Sequence, residues 1–183
     1  MFKIIERKLS AREIKEIFDE IKRTPTIVGY TKKEWRRFNL IFVAETSHKI
    51  VGVSALKRID ENWLDLSALF VLEKYRGRGF GKLLFQKTLK WAKSHHQNIY
   101  FVSRNPIVIK WAKEEKVKSF KSFFELPKRI KLHIIKNSLN LYRIFEFIRK
   151  AFVFRGQKGY VFFIKSLKEG WNGQRKKKTR SWK

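Results

Sequence analysis

Residues 69–84, LFVLEKYRGRGFGKLL, contain the feature that decides the fold of this chain. An apolar run typical of a buried strand leads into three alternating glycines, and apolar residues at helical spacing follow. Glycine permits positive φ and lets a ligand approach the backbone closely. A loop of this kind at a helix N-terminus presents free backbone N–H groups to an anion. Arg76, Arg78 and Lys82 add positive charge, so the stretch predicts a phosphate-binding loop.

The spacing excludes two common phosphate-binding loops. A Walker loop has glycine five residues before its Gly-Lys pair and Ser or Thr directly after it, whereas this chain has Arg76 and Leu83 there. A Rossmann loop, counted from Gly77, has a further glycine where Lys82 stands. The apolar runs before the loop also predict an antiparallel hairpin, which does not suit a doubly wound sheet. The phosphate therefore belongs to another class of ligand.

The rest of the chain predicts helices interleaved with strands. We expect strands over Phe2–Ile5, Leu40–Ala44, Ile50–Leu56, Trp63–Leu72, Ile99–Val102, Phe120–Leu126 and Gly159–Ile164. We expect helices over Ala11–Lys22, Tyr30–Arg36, Gly81–Lys93 and Pro106–Glu115. Ser10 and Glu13 have the spacing of a capping box at the start of the first helix. This order predicts an α/β fold of the α+β type, with a mixed, mostly antiparallel central sheet flanked by helices.

One pattern in the loop resembles that of a known family. Arg76, Gly79 and Gly81 satisfy Arg/Gln-x-x-Gly-x-Gly/Ala between an apolar strand and a helix. In this setting the motif resembles that of the GNAT N-acetyltransferase superfamily, and the order of elements from Phe2 to about Phe120 is similar to that fold. The resemblance implies an enzyme that transfers an acetyl group from acetyl-CoA, its cosubstrate, to a primary amine.

The resemblance also implies which residues hold the coenzyme. The backbone around Leu69 and Val71 would pair with the pantetheine arm, and the amides of the loop would hold the pyrophosphate. Asn105 would contact the pantetheine chain, and it is equally suited to cap the following helix. The predicted cofactor-binding residues are Leu69, Phe70, Val71, Arg76, Gly77, Arg78, Gly79, Phe80, Gly81, Lys82 and Asn105.

Asp65 is the candidate catalytic base. It lies on the strand before the loop, fourteen residues before Gly79, where histone-acetylating members of the superfamily place a glutamate. Aspartate is one methylene shorter, so a bridging water is expected between it and the amine. The alternative is a solvent-facing strand residue. Weaker candidates for the base are Glu45, Glu61 and Glu73.

The general acid has no clear candidate. Many members of the superfamily have a tyrosine seven residues after the asparagine, but this chain has Ala112 there, with Trp111 beside it. Lys116 and Val117 replace the Gly-Phe pair that usually closes this helix. Neither alanine nor tryptophan can donate the proton that a departing thiolate needs. The acid is therefore water or one of Tyr100, Tyr142 and Tyr160.

Charge and composition limit the partners. The 183 residues contain 44 Lys and Arg against 16 Asp and Glu, a net charge of +28 that attracts polyanions and repels cationic acceptors. A Lys-rich proteome would produce the same excess. The absence of cysteine excludes thiolate catalysis and fits a reducing cytoplasm. No apolar run predicts a signal peptide or a membrane span, and the adjacent His95 and His96 cannot chelate one metal, so none is expected.

The C-terminal third predicts a basic addition to the domain. We expect a domain over residues 1–170 that includes a basic helical insertion at 127–155, followed by a basic, disordered tail at 171–183. The insertion could cover the core with a solvated basic face, or lie on an anionic membrane. It could also bind RNA or ribosomal phosphates. The candidate RNA contacts are Arg143, Arg149, Lys150 and Arg155, with Tyr142 for stacking.

The sequence thus favours a cytoplasmic acetyl-CoA-dependent N-acetyltransferase, acting on an amine carried by a protein or a nucleic-acid-associated substrate. The alternative is a non-catalytic protein of the same fold that binds RNA or DNA through its basic surface. A third hypothesis is a membrane-associated acyltransferase for longer acyl chains. Oligomeric state stays open.

Overall fold

The elements of the chain follow the predicted order. The computed structural model describes residues 1–24, 27, 29–47, 49–138, 145, 148 and 159–166. The strands are β1 (Phe2–Glu6), β2 (Leu40–Thr46), β3 (Lys49–Asp60), β4 (Trp63–Val71), β5 (Asn98–Ser103), β6 (Lys118–Phe120) and β7 (Val161–Lys165). The helices are α1 (Ala11–Arg23), α2 (Lys32–Arg37), α3 (Phe80–Ser94), α4 (Pro106–Glu114) and α5 (Lys128–Ser138).

The strands form a sheet in the order β1-β2-β3-β4-β5-β7-β6 within the described part of the chain. Strands β4 and β5 pair in parallel, and every other neighbouring pair is antiparallel. The parallel pair is joined by the crossover through α3. This arrangement confirms the prediction of a mixed, mostly antiparallel sheet flanked by helices.

Helices cover both faces of the sheet. On one face, Leu84 and Phe85 of α3 and Ala112 of α4 are buried against the sheet. On the other face, α1 and α2 cover the first strands with a core that includes Ile17 and Trp35. Further along this second face, α5 adds a smaller core around Ile130. Burial of each apolar side chain contributes about 1.5–3 kcal/mol to stability. Helices packed on both faces of the sheet therefore give a three-layer structure.

One strand prediction is wrong. Residues Phe120–Leu126 do not form a strand, because the extended segment β6 ends at Phe120 after pairing with β7. The side chain of Ser122 then accepts a hydrogen bond from the backbone N–H of Phe124, which starts a 3₁₀ turn over Phe123–Glu125. A serine that bonds its own backbone in this way competes with a strand.

Parts of the predicted basic insertion and tail lie outside the described residues. Helix α5 is the described beginning of the insertion at 127–155, and the tail at 171–183 is not described. Tyr142, Arg143, Arg149, Lys150 and Arg155 also lie outside the described residues. Within the described residues, no helix is both long enough and apolar enough to span a bilayer.

The capping box predicted for α1 is confirmed and belongs to a larger ionic cluster. Ser10 Oγ accepts from the Glu13 N–H, and Glu13 Oε2 accepts from the Ser10 N–H. The guanidinium of Arg7 donates to Glu13 at 2.9 Å and to Glu45 at 2.7 Å. This cluster joins the end of β1 to α1 and β2. The hydrogen bond from Arg7 lowers the pKa of Glu13 to about 2.

We expect Glu13→Gln to destabilise the protein at pH 7 but not at pH 2. The pKa of Glu13 is lowered from 4.5 to about 2, so its contribution is complete above pH 4.5 and is lost as the pH falls towards 2. Partial exposure limits the effect to about 1 kcal/mol. Urea unfolding of both proteins across this range measures it, with Glu16→Gln, elsewhere on α1, as the control. A difference that does not depend on pH would contradict the ionic explanation.

Helix α4 ends on a residue that is poorly suited to its backbone. Lys116 has φ of 52°, in the left-handed region that glycine adopts more easily. The N–H groups of Lys116 and Val117 donate to Lys113 and Ala112 and close the helix. The lysine thus has the conformation of the glycine that it replaces in the predicted motif.

Lys116→Gly should therefore raise the free energy of unfolding by about 0.5–1 kcal/mol, because glycine removes the steric cost of positive φ. Chemical denaturation measures this difference. Lys113→Gly, in the last turn of the same helix, is the matched control and should lower stability by about 1 kcal/mol. Equal destabilisation by both glycines would mean that the backbone of Lys116 is not strained.

Candidate active site

The site is built where β4 and β5 separate. The two strands pair only over Trp63–Asp65 and Asn98–Tyr100. Strand β4 continues to Val71 without a partner on this side among the described residues. Its backbone N–H and C=O groups there face a gap, and such groups need hydrogen-bond partners. An extended ligand can therefore bind between the strands as a short additional strand would.

A bulge in β4 marks the narrow end of this gap. The register with β3 shifts so that Ala55 faces Ala68 and Leu56 faces Leu66, which leaves Ser67 as the extra residue. The hydroxyl of Tyr30, in the segment between α1 and α2, donates to the Ser67 carbonyl at 3.0 Å. The bulge therefore bends β4 away from β5. The segment between α1 and α2 holds this position through the Tyr30 hydroxyl.

The gap opens into a cleft of about 460 Å³. The structure brings ten of the eleven predicted cofactor-binding residues to its walls, namely Leu69, Phe70, Val71, Arg76, Gly77, Gly79, Phe80, Gly81, Lys82 and Asn105. Arg78 is not among the lining residues. The facing wall, which the sequence did not predict, comes from α4 through Ile107, Val108 and Trp111.

The three glycines of the loop are needed for two different reasons. Gly77 and Gly79 have φ of 78° and 82°, which side chains rarely allow, although a Cβ there would meet nothing within 4 Å. Gly81 is needed for space, because a Cβ would lie 3.0 Å from Cη2 of Trp111. The loop thus turns left-handed into α3, and its last glycine lets α3 approach α4.

The basic side chains of the loop also differ in their contacts. The Arg76 side chain is 43% exposed but bonds back to the protein, since Nε donates to the Val71 carbonyl at 3.0 Å and Nη2 donates to Thr24 Oγ1 at 3.2 Å. Lys82 forms an exposed ion pair with Glu114 at 2.9 Å, which lowers the pKa of that carboxyl. Arg78 makes no hydrogen bond or ion pair with any residue that the structure describes. Arg76 therefore holds the loop in place, while Arg78 is available to an anion.

Asn105 has one of its two predicted roles. Its side chain accepts a hydrogen bond from the Ile107 N–H at 2.9 Å, so it is the N-cap of α4. The same residue borders the cleft. Contact with the pantetheine chain stays a prediction, compatible with the cap.

Asp65 lies at the point where the strands part. It pairs with Tyr100 across the last parallel contact and is only 8% exposed, which excludes the solvent-facing alternative. Its Oδ2 accepts from the Ser67 hydroxyl at 3.0 Å and lies 2.9 Å from Nε2 of His133. The carboxylate is thus held by the bulge and by α5, four residues before Leu69, where the lining of the cleft begins on β4.

His133 was not predicted to belong to the site. Its Nε2 also lies 2.7 Å from Nδ2 of Asn137, one helical turn later, and the amide oxygen of Asn137 accepts from Lys57 at 3.2 Å. The only sequence signal was a histidine among the lysines and arginines of this segment. Nothing in the local pattern showed that α5 would pack over β4.

The other candidate bases lie in different surroundings. Glu45 belongs to the Arg7 ionic cluster, and Glu61 and Glu73 are exposed in a turn and at the start of a 3₁₀ turn. Asp65 differs from all three because it lies where β4 and β5 part, and its role as base stays a prediction.

The described tyrosines that the sequence offers as possible acids, Tyr100 and Tyr160, also lie in different surroundings. Tyr100 is buried beside Asp65, and both its burial and that negative charge raise its pKa above the ordinary value. Burial also raises the pKa of Tyr160, whose ring lies 5.3 Å from the Arg104 guanidinium. Ala112 is fully buried in the core under α4, so its neighbour Trp111 faces the cleft instead.

A gap beside an open strand, continued by a glycine loop at a helix N-terminus, defines an acyl-CoA-dependent acyltransferase. The chain belongs to the acetyltransferase (GNAT) family, whose model matches residues 11–119. This membership confirms the predicted superfamily, an acyl-CoA N-acyltransferase as the class of enzyme, and acetyl-CoA as its cosubstrate. A comparison of the sequence with curated proteins found no match.

Solved structures show the same fold at low sequence identity. N-acetylglutamate synthase from Neisseria gonorrhoeae, complexed with coenzyme A and N-acetyl-glutamate, has a TM-score of 0.61 and 14% identity over 91% of this chain. This chain spans only 36% of that synthase. The ribosomal-protein-S18-alanine N-acetyltransferase from Escherichia coli has a TM-score of 0.59 and 10% identity, over 93% of this chain and 99% of that one. A Mycobacterium tuberculosis protein in complex with coenzyme A has a TM-score of 0.59 and 13% identity, over 89% and 99%.

Replacing the two arginines of the loop should separate stability from coenzyme binding. Arg78→Ala should weaken acetyl-CoA binding about 3- to 10-fold and leave the melting temperature of the free protein unchanged, because its guanidinium has no partner in the described structure. Arg76→Ala should lower that melting temperature by several degrees, because it frees the Val71 carbonyl and Thr24. Calorimetric titration and thermal unfolding measure the two effects. Binding lost with Arg76→Ala alone would reverse the assignment.

Proposed function

We propose that this protein transfers the acetyl group of acetyl-CoA to a primary amine, with Asp65 as the base that receives a proton from that amine. The observation that carries this proposal is the position of Asp65. Its buried carboxylate stands at the point where β4 and β5 part, four residues before Leu69, the first residue of β4 that lines the cleft. The proposal places the acceptor amine between this carboxylate and the cleft, where it meets a proton acceptor next to the coenzyme.

The residues of the cleft fit coenzyme A. The part of β4 that has no partner strand on this side offers backbone donors and acceptors to the amide groups of the pantetheine arm, apart from the Ser67 and Val71 carbonyls that Tyr30 and Arg76 already occupy. The left-handed loop at Gly77 and Gly79 leaves open space above its backbone for the pyrophosphate. Arg78 adds a cation there that no described residue neutralises. When bound, acetyl-CoA supplies an acetyl group activated as a thioester.

Asp65 is arranged to receive a proton through one oxygen. Its Oδ2 is occupied by Ser67 and His133, whereas Oδ1 has no hydrogen bond with any described residue. An amine is protonated at neutral pH and attacks only after losing a proton. We assign that proton to Oδ1 of Asp65. Burial strengthens the attraction between the carboxylate and the ammonium group.

Water is the favoured proton donor among the acids that the sequence leaves open. Tyr100 is the direct neighbour of Asp65 across the sheet, but burial and the charge of Asp65 raise its pKa above the ordinary value. The phenol is therefore a weaker acid than the departing thiol, and proton transfer from it to the thiolate is unfavourable.

The nature of the acceptor is supported by charge and by the related structures. A net charge of +28 disfavours polyamines and strongly basic peptides as acceptors. The Neisseria synthase structure contains N-acetyl-glutamate, and the Escherichia coli enzyme is named for an alanine of ribosomal protein S18. We propose an amine of this kind, on an amino acid or on a protein, including a protein associated with nucleic acid.

Replacement of Asp65 tests the proposal. Acetyl-CoA should raise the melting temperature of wild type and Asp65→Asn alike. Asp65→Asn should lose about 10²- to 10⁴-fold in the rate of acetyl transfer, because the amide cannot accept the proton. Labelled acetyl-CoA in cell extract measures the rate and identifies the acceptor by mass spectrometry. Asp19→Asn, on the exposed face of α1, is the control.

The outcomes separate the hypotheses. An unchanged melting temperature at millimolar acetyl-CoA would contradict coenzyme binding. Full transfer by Asp65→Asn would refute its role as base. Coenzyme binding without transfer to any component of the extract, together with salt-sensitive binding of RNA or DNA, would favour the non-catalytic alternative.

A further inference from the structure

Helix α5 brings a second ionisable side chain to Asp65. The His133 side chain is 10% exposed, and the Asp65 side chain is 11% exposed. The charged or titratable groups that face this pair are Tyr100 on β5, with its ring centroid 6.4 Å from that of His133, and Lys57 on β3. Of the histidines in the described residues, His95 and His96 lie exposed at the end of α3. His133 therefore differs from these two histidines, because its ring is mostly buried against a carboxylate.

Nε2 of His133 has two neighbours that require opposite protonation states of this nitrogen. Asp65 Oδ2 at 2.9 Å requires a proton on Nε2, and Asn137 Nδ2 at 2.7 Å requires a lone pair. One ring nitrogen carries one or the other, so only one contact is a hydrogen bond at a time. The bond to the carboxylate is charge-assisted and about twice as strong. The Asn137 amide can turn its oxygen to the ring, because the flexible Lys57 side chain that donates to it can follow.

We propose that His133 is a positioning residue for Asp65: it donates its Nε2 proton to Oδ2 and so keeps Oδ1 directed at the acceptor amine. This inference rests on the proposed function. The Ser67 hydroxyl is the second donor to Oδ2, so the carboxylate is held from both the bulge and α5. Aspartate is short, and a fixed rotamer brings one defined oxygen to the amine.

The proton balance of the step is simple. The ammonium form of the acceptor loses one proton to Oδ1 of Asp65. The neutral nitrogen then bonds to the acetyl carbon while the C–S bond breaks, the second proton of the nitrogen passes to water, and the thiolate takes one proton from water. Asp65 returns its proton to water, so one proton is released for each ammonium acetylated. His133 keeps its Nε2 proton throughout.

Nitrogen NMR tests the geometry without any substrate. With ¹⁵N-labelled histidine, the signals of His133 are assigned by their loss in His133→Gln. We expect Nε2 to carry the proton in the wild type, and Asp65→Leu, which removes both oxygens, to shift the ring towards the form protonated on Nδ1. A lone pair on Nε2 in the wild type, or a signal that Asp65→Leu leaves unchanged, would overturn the proposal.

Rates of acetyl transfer test its consequence. His133→Leu keeps the bulk but removes the donor, and should lower the rate at saturating acetyl-CoA at least 10-fold with less than a twofold change in KM for acetyl-CoA. His133→Gln retains an N–H near the position of Nε2 and should restore the rate to within about threefold of wild type. On the Asp65→Asn background, His133→Leu should have no further effect. His96→Gln is the control.

These results separate this inference from the proposed function. If His133→Leu transfers acetyl at the wild-type rate, or if His133→Gln is as slow as His133→Leu, the positioning role is wrong and the acetyltransferase assignment stands. If its effect multiplies with that of Asp65→Asn, His133 acts independently of Asp65 and the inference also falls. If the wild type transfers no acetyl group, the proposed function fails, and the NMR result alone decides whether His133 donates to Asp65.

Discussion

The separation of β4 from β5 is the constraint on which the rest of this structure depends. Parallel strands normally satisfy each other's backbone groups along their whole length. Here pairing stops after Asp65 and Tyr100, and the β4 backbone beyond this point is left with an open edge in the middle of a sheet. Such an edge is costly unless a ligand or water completes its hydrogen bonds. The fold thus leaves room for one extended molecule in a defined direction.

Each layer of the protein supports this opening. The bulge at Ser67 bends β4, and Tyr30 holds the bulge from the other side of the sheet. Arg76 fixes the loop against the last carbonyl of β4, and Gly81 admits Trp111 as a wall. The cleft thus runs along the unpaired edge of β4, and the buried Asp65 lies at the last position where β4 pairs with β5.

Much of this could be read from local sequence. The glycine loop, the capping box at Ser10 and the cap at Asn105 are short-range patterns whose residues act within a few positions of one another. The loop residues line one wall of the cleft together because they follow one another along the sequence. The failure at Phe120–Leu126 is equally local: β propensity was outweighed by one serine that bonded its own backbone.

The sequence by itself determined the order of elements, the glycine loop, the family and the candidate Asp65, because each of these depends on neighbours along the chain. Only the tertiary structure decided that Arg76 bonds back to the end of β4, that Trp111 and not Ala112 faces the cleft, and that His133 meets Asp65, 68 residues away. Contacts at such separation depend on how helices pack across the sheet. No periodicity along the chain encodes the approach of α5 to β4, so that contact required the folded molecule.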